Sequence, residues 1–410
     1  MNCLRLDLRR IAARIGTVVD ARRLARRRVP GPLFDYMEGG AGSESTMRAN
    51  HASIEAVQFR PRVGVTAGVP GPELGTTVLG NRVSMPLLLS PVGFTRMMDP
   101  LGDVAGVRAT YAAGTLFTLS SMSGHTIDEV AAASSAAAGD GRAAPWFQLY
   151  FLGGRPGAER LVEQARTAGY GALVVTLDTQ IPGNRERDLR HRLSPPLVLN
   201  RRTVTKMAPY VVGHPWWLLD LARDRFRLEL ANAAGLEAGG KRMSASESLM
   251  HWVASPPRWE DFAWMRESFA GPVIAKGIQS GDDARRAVDC GVAAIVVSNH
   301  GGRQLNSVPA TVPALVEVVE AVGDQVEVLV DGGFRRGADV VKALALGARA
   351  AMIGRPWAYG LAAAGQPGVE RILSIFREDI DRTLRLLGVP SVDCVDRDLV
   401  RVPPDSSEGL

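Results

Sequence analysis

Cysteine is scarce in this chain of 410 residues: Cys3, Cys290 and Cys394 are the only three. Their spacing makes neither a metal knuckle nor an even-numbered disulfide framework, so the sequence points to a reducing, cytoplasmic setting and to no metal centre. Long apolar runs are also missing. No stretch of eighteen apolar residues occurs, which argues against a transmembrane helix, and the first thirty residues hold no apolar core of signal-peptide length. Charge imbalance is small, a formal +5 with a pI of about 9.4. Much of the excess lies near the start, in Arg5, Arg9, Arg10, Arg14, Arg22, Arg23, Arg26, Arg27 and Arg28. No aromatic residues alternate with these arginines, so a basic nucleic-acid-binding protein is a rival reading with little behind it. An acid-poor start of this kind also suits a transit peptide, but an exposed amphipathic helix is the simpler account.

What the chain does have is the balance of a globular protein, 46% hydrophobic and 22% charged residues. Its length suits one α/β barrel with extensions. From Met85 onward, short apolar runs ending in small or polar residues alternate with helical segments. The runs are 87–90, 115–119, 146–150, 172–177, 273–275, 292–297, 326–330 and 350–353. Eight strands with crossover helices close a sheet, which predicts a (β/α)8 TIM barrel. The expected division is an N-terminal helical extension and lead-in over 1–84, the barrel over 85–390 and a C-terminal tail over 391–410. Between strands five and six, Ser280 can cap a helix, Asp283 can close a capping box and Gly291 can end it.

Barrel enzymes place their chemistry at the carboxyl ends of the strands. Those ends read Pro91-Val92-Gly93, Ser120-Ser121, Gln148-Leu149-Tyr150, Thr176-Leu177-Asp178, Lys276-Gly277, Ser298-Asn299-His300-Gly301-Gly302-Arg303-Gln304, Asp331-Gly332-Gly333 and Gly354-Arg355. A lone histidine in a polar loop is ordinarily solvated, and Tyr36 alone would be a packing aromatic. A full ring of polar and glycine ends is harder to assign to turn chemistry. The glycines after strands seven and eight, with Arg335 and Arg355, make a phosphate cradle. Lys276 would then stand beside the ring of a phosphorylated cofactor as a fixed positive charge, which suits a flavin that becomes anionic on reduction. A Schiff-base nucleophile is the alternative role for such a lysine. Near His300, a proton acceptor around neutral pH, Arg303, Arg185 and Tyr36 can meet on one carboxylate, and Asp178 is the expected partner of the imidazole. A carboxylate beside a proton to be lost describes a 2-hydroxy acid.

Strands four and five are separated by roughly ninety residues, far beyond the 2 to 6 of an ordinary connection outside its helix. Within the resulting insertion, 190–257, Trp216-Trp217-Leu218-Leu219 stands beside Arg223, Arg225 and Arg227. The stretch 197–240 suits a lipid headgroup layer, a packed lid or an oligomer contact.

The SNHGGRQ stretch at 298–304, with Lys276-Gly277, Phe147-Gln148-Leu149-Tyr150, Thr176-Leu177-Asp178 and Asp331 to Gly337, resembles the FMN-dependent L-2-hydroxy acid dehydrogenase and oxidase family. That family includes glycolate oxidase, lactate dehydrogenases and (S)-mandelate dehydrogenase; the segments 184–189 and 380–384 look closest to the mandelate dehydrogenase branch. The resemblance runs from about residue 20 to residue 390. It implies FMN as cofactor, His300 as base, Asp178 as its partner, and Tyr36, Arg185 and Arg303 as carboxylate ligands, with Tyr150 at the substrate hydroxyl. It implies flavin contacts at Pro91, Val92, Gly93, Ser120, Gln148, Thr176, Lys276, Ser298, Asp331, Gly333, Arg335, Gly354 and Arg355.

Four residues depart from the family's usual pattern: Val92 for threonine, Gly93 for the alanine of the oxidases, Met122 for a tryptophan and Asn306 for aspartate. The expected activity is oxidation of a mandelate-like or lactate-like acid to the 2-oxo acid. Electrons would go to a quinone or other carrier, or, as the alternative, to oxygen with release of peroxide. A homo-oligomer, usually a tetramer among relatives, and a peripheral place on the inner face of the membrane complete the expectation.

Overall fold

A computed structural model describes residues 7–65, 71–137, 143–191, 208–233 and 255–402, with short pieces between 237 and 251. The barrel strands are β1 (Leu87–Leu89), β2 (Thr118–Ser120), β3 (Trp146–Leu149), β4 (Ala172–Thr176), β5 (Val273–Ile278), β6 (Ala294–Val297), β7 (Glu327–Asp331) and β8 (Ala350–Ile353). All neighbours pair in parallel, in the order β1-β8-β7-β6-β5-β4-β3-β2. The ring closes where the Leu89 amide donates to the Leu116 carbonyl at 3.0 Å, beside a Leu89–Phe117 bridge. The strands read as continuous apolar runs because helices cover them outside and side chains fill them inside.

The lead-in carries α1 (Leu8–Ala12), α2 (Val18–Arg28), α3 (Gly31–Glu38) and α4 (Ser45–Ala56). Thr17 caps α2 by accepting from the Asp20 amide, and Val29-Pro30 ends it. Val18, Ala21 and Ala25 make its buried stripe, packed on the last helix, Arg355–Leu387, which kinks at Ala364–Gly365 ahead of Pro367. The expected cap at Ser280 is present, accepting from the Asp283 amide. Below the barrel, the hairpin Thr76–Val78 and Asn81–Val83 pushes Val78 and Val83 into its interior. At the far end, Val400–Arg401 pairs antiparallel with Gln58–Phe59, tying the chain's last described strand to the lead-in.

The insertion rests on the rim. Its helix Pro215–Arg223 buries Trp217 and Leu221, and Trp217 donates to the Met97 carbonyl at 2.8 Å. Arg96 makes a two-pronged pair with Asp224 at 2.7 Å on each prong, and Arg28 reaches Asp99 at 3.2 Å and Asp220 at 3.0 Å. The outer face leaves Val212, Trp216, Leu218 and Phe226 exposed. Residues 192–207, with Arg201, Arg202 and Lys206, and much of 234–254 lie outside the described residues. No helix among the described residues is long and apolar enough to cross a membrane.

Candidate active site

Strand pleating decides what faces the barrel centre. Residues two apart share a face, and Leu88, Trp146, Val174, Ile274, Val296, Leu329 and Met352 belong to the apolar interior. Two residues further along each strand come Ser90, Gln148, Thr176, Lys276, Ser298, Asp331 and Gly354, joined on β2 by Ser120. One step toward the carboxyl ends therefore turns an apolar layer into a polar one. Hydrogen bonds knit that layer together. Lys276 Nζ donates to Ser298 Oγ at 2.7 Å and lies 2.7 Å from Asp331 Oδ2. Ser298 Oγ donates to Asp331 Oδ1 at 2.6 Å, Ser90 to Asp331 at 3.3 Å, and Ser120 to Gln148 Oε1 at 3.1 Å. A buried ammonium paired in this way is a fixed charge, and the pairing speaks against the Schiff-base alternative.

Two buried polar atoms of this layer, Gln148 Nε2 and Thr176 Oγ1, have no protein partner. Leaving them unpaired would cost about 1–3 kcal/mol each, so they suit the polar edge of a bound group. At the β7–β8 end, Gly332 and Gly333 hold φ of 98° and 100°, and a Cβ on Gly333 would meet the Asn50 carbonyl at 2.9 Å. These glycines, with Arg335 and Gly354, line a cavity of about 70 Å³. A flat heterocycle bearing a phosphate tail fits this set: orphan donors at the centre, a cation beside them and a glycine and arginine end.

Arg355 differs from the expected anion clamp. Its Nε, Nη1 and Nη2 donate to the carbonyls of Glu38, Gly301 and Gly39 at 3.0, 2.8 and 3.0 Å. Burial first, then Arg303 and Arg335, push its pKa down to about 10. It ties α3 to the Gly301 loop while still lining the cavity.

The loop after β6 places the histidine. His300, Gly301 and Gly302 hold φ of 58°, 63° and 72° in succession, and a Cβ on Gly302 would meet the Met47 amide at 2.8 Å. His300 donates its amide to Ser298 Oγ at 3.0 Å; its Nδ1 lies 3.2 Å from Asp178 Oδ1 and its Nε2 3.4 Å from the Tyr150 hydroxyl. Gly277, at a bulge in β5 with φ of 102°, makes room for this: a Cβ there would sit 2.7 Å from the Asp178 Cβ. Burial pushes the Asp178 carboxyl up, but His300, Lys276 and Thr179 outweigh it and hold the pKa below the usual value. Burial and the Asp178 charge push the Tyr150 phenol well up, so it keeps its proton.

A second cavity, about 210 Å³, adjoins the first through Pro91, Tyr150, His300 and Arg355. Val92, Gly93 and Ser120 line it, as do Tyr36, Arg185 and Arg303. The two guanidinium groups lie 5.3 Å and 5.1 Å from the Tyr36 ring centre. Arg185 is paired with Asp188 at 2.8 Å, whereas Arg303 donates to the carbonyls of Tyr36 and Gly39 at 2.9 and 2.7 Å. Burial and the neighbouring Arg185 lower the Arg303 pKa, the response of a cation in want of a counter-ion. The sequence reading missed the apolar side, where Met37, Phe94 and Met98 join Met122; only the nearness of Phe94 to a strand end could have signalled it. Asn306 keeps its loop tethered despite the lost charge, accepting from Ser45 Oγ at 2.9 Å and the Thr46 amide at 3.3 Å.

The model of the FMN-dependent dehydrogenase family matches residues 25–402. The chain belongs to that family. Among its relatives, pre-mycofactocin synthase of Mycobacterium tuberculosis is 42% identical over 92% of each chain. L-lactate dehydrogenase of Caulobacter vibrioides is 39% identical over 95% of this chain and 99% of its own. The crystal structure of (S)-mandelate dehydrogenase, a monotopic membrane protein, superposes with a TM-score of 0.83 at 36% identity, covering 95% of this chain and all of its own. The chain is an FMN-dependent oxidoreductase of the 2-hydroxy acid type.

Proposed function

We propose that this FMN-dependent dehydrogenase oxidises an L-2-hydroxy acid with an apolar, aryl-sized side chain to the 2-oxo acid. The observation that carries the reading is the larger cavity, which sets Arg303 and Arg185 beside Tyr36 on one side, His300 and Tyr150 on another, and Met37, Met98 and Met122 on a third. The carboxylate is seated by the two guanidinium groups, which bind it by charge-assisted hydrogen bonds. The hydroxyl lies at His300 Nε2, which takes its proton; Asp178 stabilises the imidazolium through Nδ1, and protonated Tyr150 donates to the same oxygen. FMN, which Gln148, Thr176, Lys276 and the Gly333–Arg335 end would hold, would supply the two-electron acceptor for the hydrogen on the substrate carbon. The Lys276–Asp331 pair holds a positive group at the cofactor's edge, and the apolar wall excludes water from the reacting face.

Relatedness to lactate, mandelate and pre-mycofactocin enzymes falls between 36% and 42% identity, so it favours no one substrate; cavity lining and size favour the larger acid. Delivery of electrons to a membrane quinone is supported by the exposed Val212, Trp216, Leu218 and Phe226 on the insertion, which suit a peripheral place on a membrane surface. The test is anaerobic mixing of the yellow holoenzyme with (S)-mandelate and with L-lactate, repeated in air. Bleaching by mandelate that persists in air until a quinone is added supports the whole reading. Rapid recolouring in air, with peroxide formed, replaces the quinone by oxygen, and no bleaching by either acid removes the substrate class.

A further inference from the structure

One residue on the cavity wall with a strained backbone is left unused by the chemistry just described. Phe94 has φ of 60° and ψ of 24°, the left-handed region that an aromatic side chain seldom adopts. Such an outlier persists only where its surroundings over-determine it, and it is a reason to look for function. The surroundings here are unusually complete. The Phe94 amide donates to the Met122 carbonyl at 3.0 Å. The next residue, Thr95, donates from Oγ1 to buried Asp103 at 2.6 Å, and Ser123, one residue past Met122, donates to the same carboxylate oxygen at 2.5 Å. Arg96 then donates to the Gly124 carbonyl at 2.8 Å while gripping Asp224 of the insertion. Two rim loops and the insertion are thus fastened around one strained position.

That fastening presents the Phe94 ring to the site. Phe94 is 6% exposed and lines the larger cavity, and its ring meets Tyr36 edge to face, 5.4 Å between centres at 87°. Tyr36 carries the two guanidinium groups at 5.3 Å and 5.1 Å, so Phe94 stands against the ring that they share. Gly93 completes the arrangement, because a Cβ there would meet the Met122 Cβ at 2.9 Å and drive the second loop away.

We propose that Phe94 is a specificity-determining residue: its ring is the wall on which the substrate's apolar side chain lies, and it braces Tyr36 at the carboxylate seat. The assignment rests on the 2-hydroxy acid reading. It makes a distinction that a purely structural role does not. Loss of the wall weakens a phenyl-bearing acid far more than one bearing a methyl group, whereas general loosening of the loop weakens both alike. Glycine adopts the left-handed region without strain, so Phe94→Gly removes the ring while relieving the backbone, and Phe94→Leu keeps an apolar wall of another shape.

The experiment compares wild-type holoenzyme with both variants. Equilibrium binding of phenylglyoxylate and pyruvate, the two 2-oxo acids, is read from the perturbed flavin absorbance, and anaerobic reduction by (S)-mandelate and L-lactate is read from bleaching. For Phe94→Gly the account predicts an aryl-to-methyl affinity ratio at least tenfold lower than wild type, with an unchanged or raised melting temperature, and an intermediate ratio for Phe94→Leu. A ratio within twofold of wild type in Phe94→Gly overturns the assignment, as does an equal loss for both acids. If the oxo acids bind but neither hydroxy acid bleaches the flavin, the function reading fails while the binding ratio still decides Phe94. If neither oxo acid binds, both fall.

Discussion

Two sets of largely buried arginine side chains lie near the barrel's rim, and they are satisfied in different ways. Under the insertion, Arg96 has both prongs on Asp224, and Arg28 sits between Asp99 and Asp220. The hydrogen bonds that Arg96 donates to Asp224 raise its pKa. In the cavity, Arg303 donates to the carbonyls of Tyr36 and Gly39, with Arg185 nearby, and its pKa is lowered. Arg28 and Arg96, each matched by carboxylates from other elements, are scaffold, whereas Arg185 meets its one carboxylate, Asp188, through Nε. A cation held by neutral acceptors beside another cation has room for an anion from outside, and the cavity supplies the space.

The largest effect expected on the cavity side concerns the base. His300→Ala should slow anaerobic flavin reduction by roughly 10²–10⁴-fold while the protein still purifies yellow, because the cofactor layer of Lys276, Ser298 and Asp331 is untouched; rapid bleaching of the variant would remove the assignment. Next comes the carboxylate seat. Arg303→Met should lower kcat/KM by about 10²–10³-fold, the loss of one or two hydrogen bonds to a charged group, without lowering the melting temperature much, since no counter-ion is stranded.

The scaffold side should behave in reverse. Arg96→Met leaves Asp224 unpaired on a largely buried surface and should cost about 3 kcal/mol of stability, seen as a lower denaturation midpoint, with the reduction rate of the folded enzyme changed only a few-fold. Gly277→Ala should sit between the two classes, disturbing Asp178 without removing any reacting group, and slow reduction by about tenfold.

The smallest effect is one of pH. Burial raises the Asp103 pKa from 3.8 to about 6. A carboxyl with a raised native pKa binds more protons folded than unfolded, so its stabilising contribution is present at pH 4 and falls as pH rises toward 6. Wild type should lose about 1–3 kcal/mol relative to Asp103→Asn over that interval; a constant difference between their unfolding free energies would contradict the assignment.

The ring of strand ends was legible because barrel strands are short, buried and two-periodic, so the apolar run and its polar successor stand side by side in the chain. His300 with Asp178, and Tyr36 with Arg185 and Arg303, could be paired on chemistry alone. What could not be read depends on contacts across the fold. Nothing local foretells that Arg355 spends its nitrogens on Glu38, Gly39 and Gly301, or that Arg96 finds Asp224 more than a hundred residues later. The left-handed Phe94 is equally silent, since its conformation is imposed by Asp103 and the Met122 loop. Strand limits shifted by one to three residues for a similar reason: register with neighbours, which a single run does not contain, sets where pairing ends.

The most direct test of the unpaired cation is to give the enzyme a substrate without charge. Anaerobic reduction of the wild-type flavin by (S)-mandelate and by its neutral amide should differ by about 10²-fold or more in favour of the acid, and Arg303→Met should erase most of that difference. Equal reduction by acid and amide in the wild type, or an undiminished preference in the variant, would contradict the account.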